Sequence, residues 1–325
     1  MSKRNIGVAL AVLSSSFTHA GLSGSGGLSG ELSISSAYIS SSSNLHTDND
    51  ATLSNINQKA KSESSFQAFP LGLVAVTFGA GLDKQVYLGT SRDDVAVGNL
   101  AMEFGFKKQL SNSTVIDISY LPTTVPSETW ADPFLLHSSR TVTEQKGVAY
   151  RLKISNIAGS SFSIDTAISE QELDDERSGI DSGYDPALLN RNSDSLYIKS
   201  SFRIYFNRGA YLSPSVIYTD SDAQGVANSN SSVAGELSLF QLYGRHKLAL
   251  TMGYTDRSYD AVHPVYSLVR NDTDLRFFVA HEYQRFMGWN NLSFVSFAGY
   301  GETDSNIQFY DSAQLLVSGG VSLRF

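Results

Sequence analysis

The chain has 325 residues, no cysteine and a formal net charge of −8. The lack of cysteine excludes a disulfide framework, thiol catalysis, zinc held by thiolates and a lipoprotein anchor, and the acidic balance argues against a nucleic-acid-binding surface. The mean hydropathy of −0.14 indicates no membrane-spanning helices, but it is compatible with a transmembrane β-barrel, in which only alternate residues face lipid.

The first 20 residues are predicted to be a Sec-type signal peptide. Lys3 and Arg4 precede a short apolar run, and a small-residue cleavage site ends at Ala20. The apolar run is too short to cross a membrane as a helix. We therefore predict a signal peptide at 1–20 and one domain at 21–325. Without Lys3 and Arg4, 22 basic residues remain against 32 acidic ones, a net charge of −10.

Beyond the signal peptide, apolar and polar residues alternate in about fourteen segments, the pattern of β-strands with one apolar face. The predicted strands run near 28–41, 66–79, 84–91, 95–108, 113–121, 146–156, 161–171, 195–207, 210–220, 232–243, 247–255, 273–286, 291–301 and 312–325. Short turns rich in Gly, Asn and Ser join pairs of strands. Longer polar segments separate the pairs, at 42–65, 122–145, 172–194, 221–231, 256–272 and 302–311.

Short turns at one end and long loops at the other are typical of outer-membrane barrels, whose turns are periplasmic and whose loops are extracellular. Both termini then lie on the periplasmic side, which requires an even number of strands. We predict an all-β fold, a transmembrane antiparallel up-and-down β-barrel of about 14 strands. Counts of 12 or 16 are also compatible, because 66–97 is hard to assign. The soluble alternatives, a β-sandwich or a β-helix, do not explain the asymmetry of the connections.

The last strand ends the chain on an aromatic residue. Its odd-numbered residues are apolar from Ala313 onward, and the strand resembles the C-terminal assembly signal of Gram-negative outer-membrane barrels. We assign this signal to Val317, Val321, Leu323 and Phe325. Aromatic residues also gather near the strand ends, as expected for two girdles at the membrane interfaces.

The opposite parity is predicted to line the lumen, and it carries charge. Seven charged residues on five predicted strands share this inward parity: Arg151, Lys153, Asp165, Lys199, Arg203, Glu103 and Asp117. Asp165 is placed opposite Lys153 or Arg151. One interpretation is a water-filled pore with a basic wall, where four cations face one anion, and an acidic wall opposite. The alternative is a neutralised network of ion pairs that plugs the barrel.

Catalytic and metal-binding signals are weak. The chain lacks HExxH, GxSxG and glycine-rich phosphate-loop motifs. His281 and Ser296 fall on adjacent strands with lipid-facing parity, similar to outer-membrane phospholipase, but no surrounding motif matches. Residues 46–50 (His-Thr-Asp-Asn-Asp) and an acidic loop around 174–185 are interpreted as solvated segments. We predict no catalytic, cofactor-binding or metal-binding residue.

Several motifs carry a family resemblance. They are 27–32 (GLSGEL), 57–65 (NQKAKSESS), 89–98 (GTSRDDVAVG), 119–122 (SYLP) and 128–130 (ETW). They resemble an uncharacterised, porin-like outer-membrane family of marine and enteric gammaproteobacteria, known as a domain of unknown function. The resemblance implies a barrel in the outer membrane and no established activity. It centres on the hairpin of predicted strands 3 and 4.

Together these patterns predict a porin-like passive channel for small hydrophilic solutes that needs no cofactor. The expected partners are outer-membrane lipids and lipopolysaccharide, the barrel-assembly machinery and small polar solutes, with no nucleic acid. The alternatives are a closed structural or surface-interaction barrel and an outer-membrane lipid hydrolase. A fatty-acid transporter is disfavoured because 21–30 is too short for an N-terminal plug.

Overall fold

The computed structural model describes residues 22, 25–91, 94–95, 98, 101–123 and 126–325. Its strands are β1 (Gly27–Ser42), β2 (Glu63–Phe78), β3 (Lys84–Gly89), β4 (Glu103–Gln109), β5 (Val115–Pro122), β6 (Ser127–Trp130), β7 (Val142–Ser155), β8 (Phe162–Leu173), β9 (Ser193–Phe202), β10 (Ile204–Asn207), β11 (Ala210–Ala223), β12 (Asn230–Tyr243), β13 (His246–His263), β14 (Leu268–Gln284), β15 (Leu292–Ser305) and β16 (Ser312–Arg324). A short helix spans Pro186–Leu189, and 3₁₀ turns span Ile157–Gly159, Phe286–Gly288 and Gln308–Tyr310. No described helix is long and apolar enough to cross a membrane. The predicted signal peptide lies outside the described residues.

The sheet closes on itself through its first and last strands. β16 pairs antiparallel with β15 on one side and with β1 on the other, in register from Glu31↔Arg324 to Ser42↔Ala313. β9 and β10 both pair with β11 and are two segments of one strand interrupted at Arg203. β6 lies off the barrel path and pairs with β7. The sixteen described segments therefore form a closed barrel of fourteen strands, as predicted.

The outer face of the barrel is apolar and the inner face is polar, because the two sets of residues alternate along each strand. On β5, Ile118 is 59% exposed, whereas Asp117 and Ser119 on either side are 9% and 5% exposed. On β1, Ile34 is 61% exposed and Ser35 is 4% exposed. An exposed apolar band around a closed barrel is the surface that a bilayer covers. The predicted fold class, a transmembrane antiparallel β-barrel, is confirmed.

Aromatic side chains lie at both ends of the apolar band. Near the long loops, Tyr120 and Tyr150 face each other with ring centroids 5.4 Å apart, and Tyr38 lies 5.2 Å from Phe66. Four exposed aromatic residues lie near the short turns and the C-terminus: Phe206, Tyr243, Trp289 and Phe325. The first set marks the end of the band at the long loops, which we call the outer end, and the second marks the end at the short turns.

The strand predicted at 95–108 is wrong in its first half. β4 begins only at Glu103, while Asp94 and Val95 are helical. Gly98 has a φ of +83°, a left-handed conformation that glycine adopts without steric cost. These three residues leave the barrel wall and make contacts inside the barrel. Positions 96–97 and 99–100 of the predicted strand lie outside the described residues.

The predicted long loops are partly replaced by longer strands. β13 and β14 are 18 and 17 residues long, and they leave only 264–267 between them instead of the predicted 256–272. The alternation of exposed and less exposed residues continues along β13 past Tyr254 to His263. The hairpin therefore extends beyond the outer aromatic level, where polar outward residues such as Asp256 and Asp260 replace apolar ones.

Candidate functional site in the barrel lumen

Three described residues between β3 and β4 bridge opposite walls of the lumen, and we call Asp94, Val95 and Gly98 the crossing residues. Arg151 on β7 donates to both carboxylate oxygens of Asp94, at 2.9 and 3.1 Å. The next residue, Val95, packs against the apolar cluster around Phe278 on β14. A Cβ on Gly98 would lie 3.0 Å from the Phe278 ring. Because β7 and β14 are six strands apart in a barrel of fourteen, these contacts cross the lumen.

Arg151 joins this crossing to the barrel wall. Its guanidinium donates through Nε and Nη2 to Asp165 on β8, at 2.8 and 2.6 Å, and Nη1 lies 3.5 Å from Glu103 on β4. All four side chains of the group are nearly buried, with Arg151 11% and Glu103 3% exposed. Paired bonds between a guanidinium and a carboxylate fix both distance and plane. Arg151 therefore holds Asp94 in one position relative to β4, β7 and β8.

A second ion-pair group begins on the strand next to the first one, since Lys199 on β9 is in register with Asp165 on β8. Glu236 on β12 accepts from Lys199 on β9 at 2.6 Å and from Arg276 on β14 at 2.5 Å. Glu236 is 3% exposed, so its charge depends on these two cations rather than on water. The group ties three strands that are not neighbours in the sheet.

A third group surrounds Asp117 on β5. Tyr87 donates its hydroxyl to Asp117 at 2.8 Å, and Lys107 lies 3.5 Å from the same carboxylate and 4.4 Å from the centre of the Tyr87 ring. Gly105 makes room for that ring, since a Cβ there would lie 2.5 Å from it. Tyr87, Lys107 and Asp117 therefore fill the lumen next to the crossing residues.

The structure places six of the seven predicted lumen residues on the inner parity of their strands and Arg203 at the break between β9 and β10. Their partners were not revealed by the sequence. Lys153 is in register with Asp165, as predicted, but the carboxylate of Asp165 bonds to Arg151. Arg203 donates to the side-chain oxygen of Asn156. The expected local excess of positive charge is reduced, because acids from the β3–β4 connection, β4 and β12 pair with the cations.

One sector of the lumen is apolar and was missed by the sequence analysis. Phe278, Val295 and Phe297 are buried there, and four residues pack against them: Leu71, Val95, Ala280 and Leu316. The signal was present in the sequence as apolar runs without alternation, Phe-Phe-Val-Ala at 277–280 and Leu-Leu-Val at 315–317. A strand that is apolar on both faces has lipid on one side and an apolar interior on the other.

The long loops form a second apolar core across the outer mouth of the barrel. Its buried members come from four different connections: Leu53, Phe134, Leu189, Ile307, Phe309 and Tyr310. His263 at the end of β13 bonds to the Tyr310 hydroxyl at 2.8 Å and packs edge-on against Phe134. The loops therefore cover part of the mouth as a packed unit.

Arg140 ties two of these loops together. Its guanidinium donates to the backbone oxygens of Asn44 at 2.8 Å, Asp50 at 2.7 Å and Ala51 at 3.2 Å, and it lies 4.2 Å above the Trp130 ring. Burial lowers the pKa of Arg140 to about 10, so the side chain stays protonated at neutral pH. One cation thereby holds the loop 43–62 against the loop 131–141.

Replacing Arg140 with alanine should release the loop 43–62. Three backbone oxygens lose a charged donor, at a cost of about 1–3 kcal/mol for each that stays buried. We expect external protease to cleave this loop in intact cells while the barrel keeps its heat-modifiable mobility on gels. Lys61→Ala is the matched control, because Lys61 pairs with Asp50 at 2.8 Å but is 75% exposed. Equal cleavage of both variants would contradict the role given to Arg140.

A cavity of about 440 Å³ lies between the loop core and the inner face of the strands. Most of its strand-borne lining is polar and comes from β6 to β9 and β11 to β13: Glu128, Thr129, Gln145, Gln171, Ser193, Ser195, Ser221, Asn230 and Tyr259, with Ala223 as the apolar exception. Arg191 and Arg270 also line it, but both are held in place. Arg191 bonds to Glu176 at 3.0 Å and to the Trp130 oxygen at 2.7 Å, and the Arg270 guanidinium lies 3.4 Å from the Tyr310 ring centre.

The weak catalytic and metal signals do not converge on a site. His281 and Ser296 are in register as predicted, but Nε2 of His281 lies 2.9 Å from Nδ1 of His246, and the two rings stack. Within the described residues, no group of three or more histidine, cysteine or acidic side chains is arranged to hold a metal ion. In the acidic loop, Glu176 pairs with Arg191, and Asp181 pairs with Arg177 at 2.6 Å.

The fold is similar to those of several solved outer-membrane proteins. The outer membrane channel DcaP of Acinetobacter baumannii is 11% identical, with a TM-score of 0.47, over 94% of this chain and 100% of that one. A Pseudomonas aeruginosa FadL homologue is 8% identical (TM-score 0.45, 91% and 90% coverage). An anion-selective porin from Comamonas acidovorans is 10% identical (TM-score 0.43, 92% and 98% coverage).

No curated protein matches the chain in sequence. One family profile matches residues 27–324, which cover the whole barrel from β1 to the last residue of β16. This confirms the family resemblance seen in the motifs. The chain belongs to the family described as Protein of unknown function (DUF2860).

Proposed function

We propose that this protein is a passive outer-membrane channel for small hydrophilic solutes. The observation that carries the proposal is the cavity in the outer mouth, whose strand-borne lining is mostly amide and hydroxyl side chains, with Glu128, Ala223 and Arg270 as the exceptions. Such groups exchange hydrogen bonds with a hydrated solute without the strong retention of an unpaired charge. The cavity leads toward the charged inner faces of β7, β8 and β9.

The crossing residues limit the size of the solute. Asp94 and Val95 contact opposite walls, and the ion pairs of Arg151 and Glu236 occupy further space in the lumen. A barrel of fourteen strands lies between the filled eight-stranded type and the open porins of 16 to 18 strands. The channel we propose is therefore narrower than that of a general porin. The ion pairs are also compatible with the alternative, a closed barrel. Single-channel conductance distinguishes a closed barrel from a channel.

The proposal includes export by the signal peptide at 1–20 and insertion into the outer membrane of a Gram-negative cell by the barrel-assembly machinery. The exposed apolar band would contact outer-membrane lipids, and the long loops would contact lipopolysaccharide. The proposal assigns no catalysis to the chain. The imidazole of His281 forms a hydrogen bond with His246 rather than with Ser296.

The test is single-channel conductance of the purified protein in a planar bilayer. The wild type should show small, discrete conductance steps. Asp94→Asn keeps the shape of the side chain but weakens its bonds to Arg151, each of which contributes about 1.5–3 kcal/mol when a charge is involved. Because this loosens the crossing, we expect larger steps from the variant.

Asp174→Asn is the control for that variant. Asp174 is 51% exposed and bonds to Lys146 at 2.6 Å outside the lumen. The conductance of the Asp174→Asn variant should therefore equal that of the wild type. If folded wild type and Asp94→Asn both conduct nothing, the channel is wrong and the closed structural barrel replaces it.

A further inference from the structure

Three arginines follow one another along the inner faces of β13 and β14, from the outer cavity toward the periplasmic end. Arg270 lines the cavity. Arg257 on β13 is in register with Asp272, two residues further along β14 than Arg270. Arg276 lies four residues beyond Asp272. Six residues of a strand span about 20 Å, so these three arginines, which we call the arginine row, line the lumen over this depth.

The acidic partners of the arginine row have both carboxylate oxygens engaged by side chains of the protein. The two oxygens of Asp272 accept from Nε and Nη2 of Arg270 at 3.0 and 2.6 Å. The two oxygens of Asp274 accept from Arg257 at 2.8 Å and from Thr303 at 2.7 Å. Oxygens engaged in this way are less available to replace the hydration shell of a passing cation.

In each of these ion pairs, the cation is the more exposed member. Arg276 is 48% exposed, whereas its partner Glu236 is 3% exposed. Arg257 is 29% exposed, whereas Asp272 and Asp274 are 0% and 23% exposed. The carboxylates therefore lie against the barrel wall, and the guanidinium groups form more of the surface that a solute in the lumen meets.

Arg276 has a glycine on either side of it on the inner face of the wall. Gly253 on β13 and Gly301 on β15 are both in register with Arg276. A Cβ at Gly301 would have no heavy atom within 4 Å. A guanidinium carries five N–H donors, and the bond to Glu236 comes from Nη2. The Arg276 guanidinium therefore borders open space in the lumen and has further donors for a solute.

The positive charge of Arg276 exceeds what its acidic partner neutralises. Glu236 also accepts from Lys199, so two cations share one carboxylate. The Arg151 group has more acids than cations, but its side chains are 11% exposed or less, and its Asp165 lies five strands away from Arg276. Because Coulomb energy falls with distance, the exposed guanidinium dominates the interaction with a solute beside it.

We infer that the arginine row attracts small anions, such as carboxylates and phosphate, into the lumen, and that Arg276 determines the resulting anion selectivity. The inference rests on the proposed channel and names the class of hydrophilic solute that passes through it. A guanidinium suits these anions because it donates two parallel N–H bonds to a pair of oxygens. Since Arg276 is paired with Glu236, it attracts an anion without the strong retention of an isolated cation.

A single cysteine reports the sign of the electrostatic potential beside Arg276, since the chain has no native cysteine. Gly301→Cys places a thiol in register with Arg276. The folded, purified protein in detergent micelles is treated with sulfonatoethyl methanethiosulfonate, an anion, or with trimethylammonioethyl methanethiosulfonate, a cation of similar size. Each reaction rate is divided by the rate of the same reagent with free mercaptoethanol, and the two normalised rates give an anion-to-cation ratio.

The ratio for Gly301→Cys should favour the anionic reagent. Adding Arg276→Gln should lower the ratio about three- to tenfold at low ionic strength, because loss of a unit charge nearby changes the local concentrations of the two reagents in opposite directions. Glu236 keeps its bond to Lys199 in this variant, and heat-modifiable mobility verifies folding. Arg177→Gln is the matched control. Arg177 is also exposed, at 38%, but it pairs with Asp181 between β8 and β9, outside the barrel wall, so its loss should leave the ratio unchanged.

The reversal potential in a KCl gradient across a planar bilayer measures the selectivity of the conducting protein. The wild type and Arg177→Gln should prefer chloride, and Arg276→Gln should lose most of this preference.

The outcomes distinguish the anion selectivity from the channel itself. A ratio that favours the cationic reagent, or that Arg276→Gln leaves unchanged, overturns the inference. A folded protein whose thiol at position 301 reacts with neither reagent also overturns it, because the lumen is then closed at this level. Conductance with a preference for potassium refutes the anion selectivity and keeps the channel. An Arg276-dependent preference for the anionic reagent, in a protein that never conducts ions, supports anion attraction by Arg276 and refutes only the channel.

Discussion

Arg151→Met should strongly destabilise the folded barrel. Methionine keeps much of the length of the side chain but leaves Asp94, Asp165 and Glu103 without the cation that they share. Removing one partner from a buried ion pair costs about 3–5 kcal/mol, because the remaining charge stays buried without compensation. We expect a large decrease in the urea midpoint, measured by tryptophan fluorescence of the protein in detergent micelles.

Arg177→Met is the matched control. Arg177 bonds to Asp181 at 2.6 Å, the same distance as Arg151 to Asp165, but both side chains of the Arg177–Asp181 pair are more than a third exposed. Exposed pairs of this kind contribute about 0–1 kcal/mol. The two midpoints should therefore differ clearly. If both variants unfold at the same urea concentration, burial does not make the ion pairs of Arg151 contribute more to stability than the exposed pair of Arg177.

The barrel itself could be predicted because its signals are local. The alternation along β5 or β16 and the asymmetry between turns and loops depend on residues that are neighbours in sequence. The fourteen strands, their order and the inner parity of Arg151 and Lys199 all followed from these patterns. The predicted positions of the strand ends were less accurate. β13 and β14 continue beyond the apolar band, where outward residues are polar and hydropathy no longer indicates a strand.

The lumen crossing could not be predicted, because it depends on long-range pairs. Asp94 and its partner Arg151 are 57 positions apart, and Lys199 and Glu236 are 37 positions apart. The sequence around Asp94 gave no sign that Asp94 and Val95 contact opposite walls of the lumen, since the same sequence also fits a loop between two strands. The predicted strand 95–108 failed for this reason.

Two features of the β2–β4 region were visible in the sequence but were not used. Pro70 within a long apolar strand indicates an edge, and the difficulty of assigning strands across 66–97 marks the place where β3 and β4 are much shorter than β2. The apolar runs at 277–280 and 315–317 indicate an apolar inner face. Together, these patterns describe one side of the barrel that departs from strict alternation.

Phe325→Asp should sharply lower the amount of folded protein in the outer membrane. β16 closes the barrel, and the backbone of Phe325 exchanges hydrogen bonds with Gly30 on β1 at 2.9 and 3.1 Å. The ring itself is 53% exposed, so its removal should cost little stability once the barrel has formed. We propose that the ring acts earlier, as part of the assembly signal with Val317, Val321 and Leu323. The measurement is the heat-modifiable band in outer-membrane fractions.

Refolding of the purified protein distinguishes a role of Phe325 in recognition by the assembly machinery from a role in closing β16 onto β1. Urea-denatured Phe325→Asp should refold in detergent micelles as well as the wild type, because the backbone pairing remains available and no assembly machinery is needed there. Gly30→Val should fail in both settings, since a Cβ at Gly30 would lie 2.5 Å from the Phe325 ring and 2.9 Å from the Leu73 oxygen. Normal levels of folded Phe325→Asp in cells would contradict the assembly signal. Failure of Phe325→Asp in micelles would place the role of the ring in closing β16 onto β1.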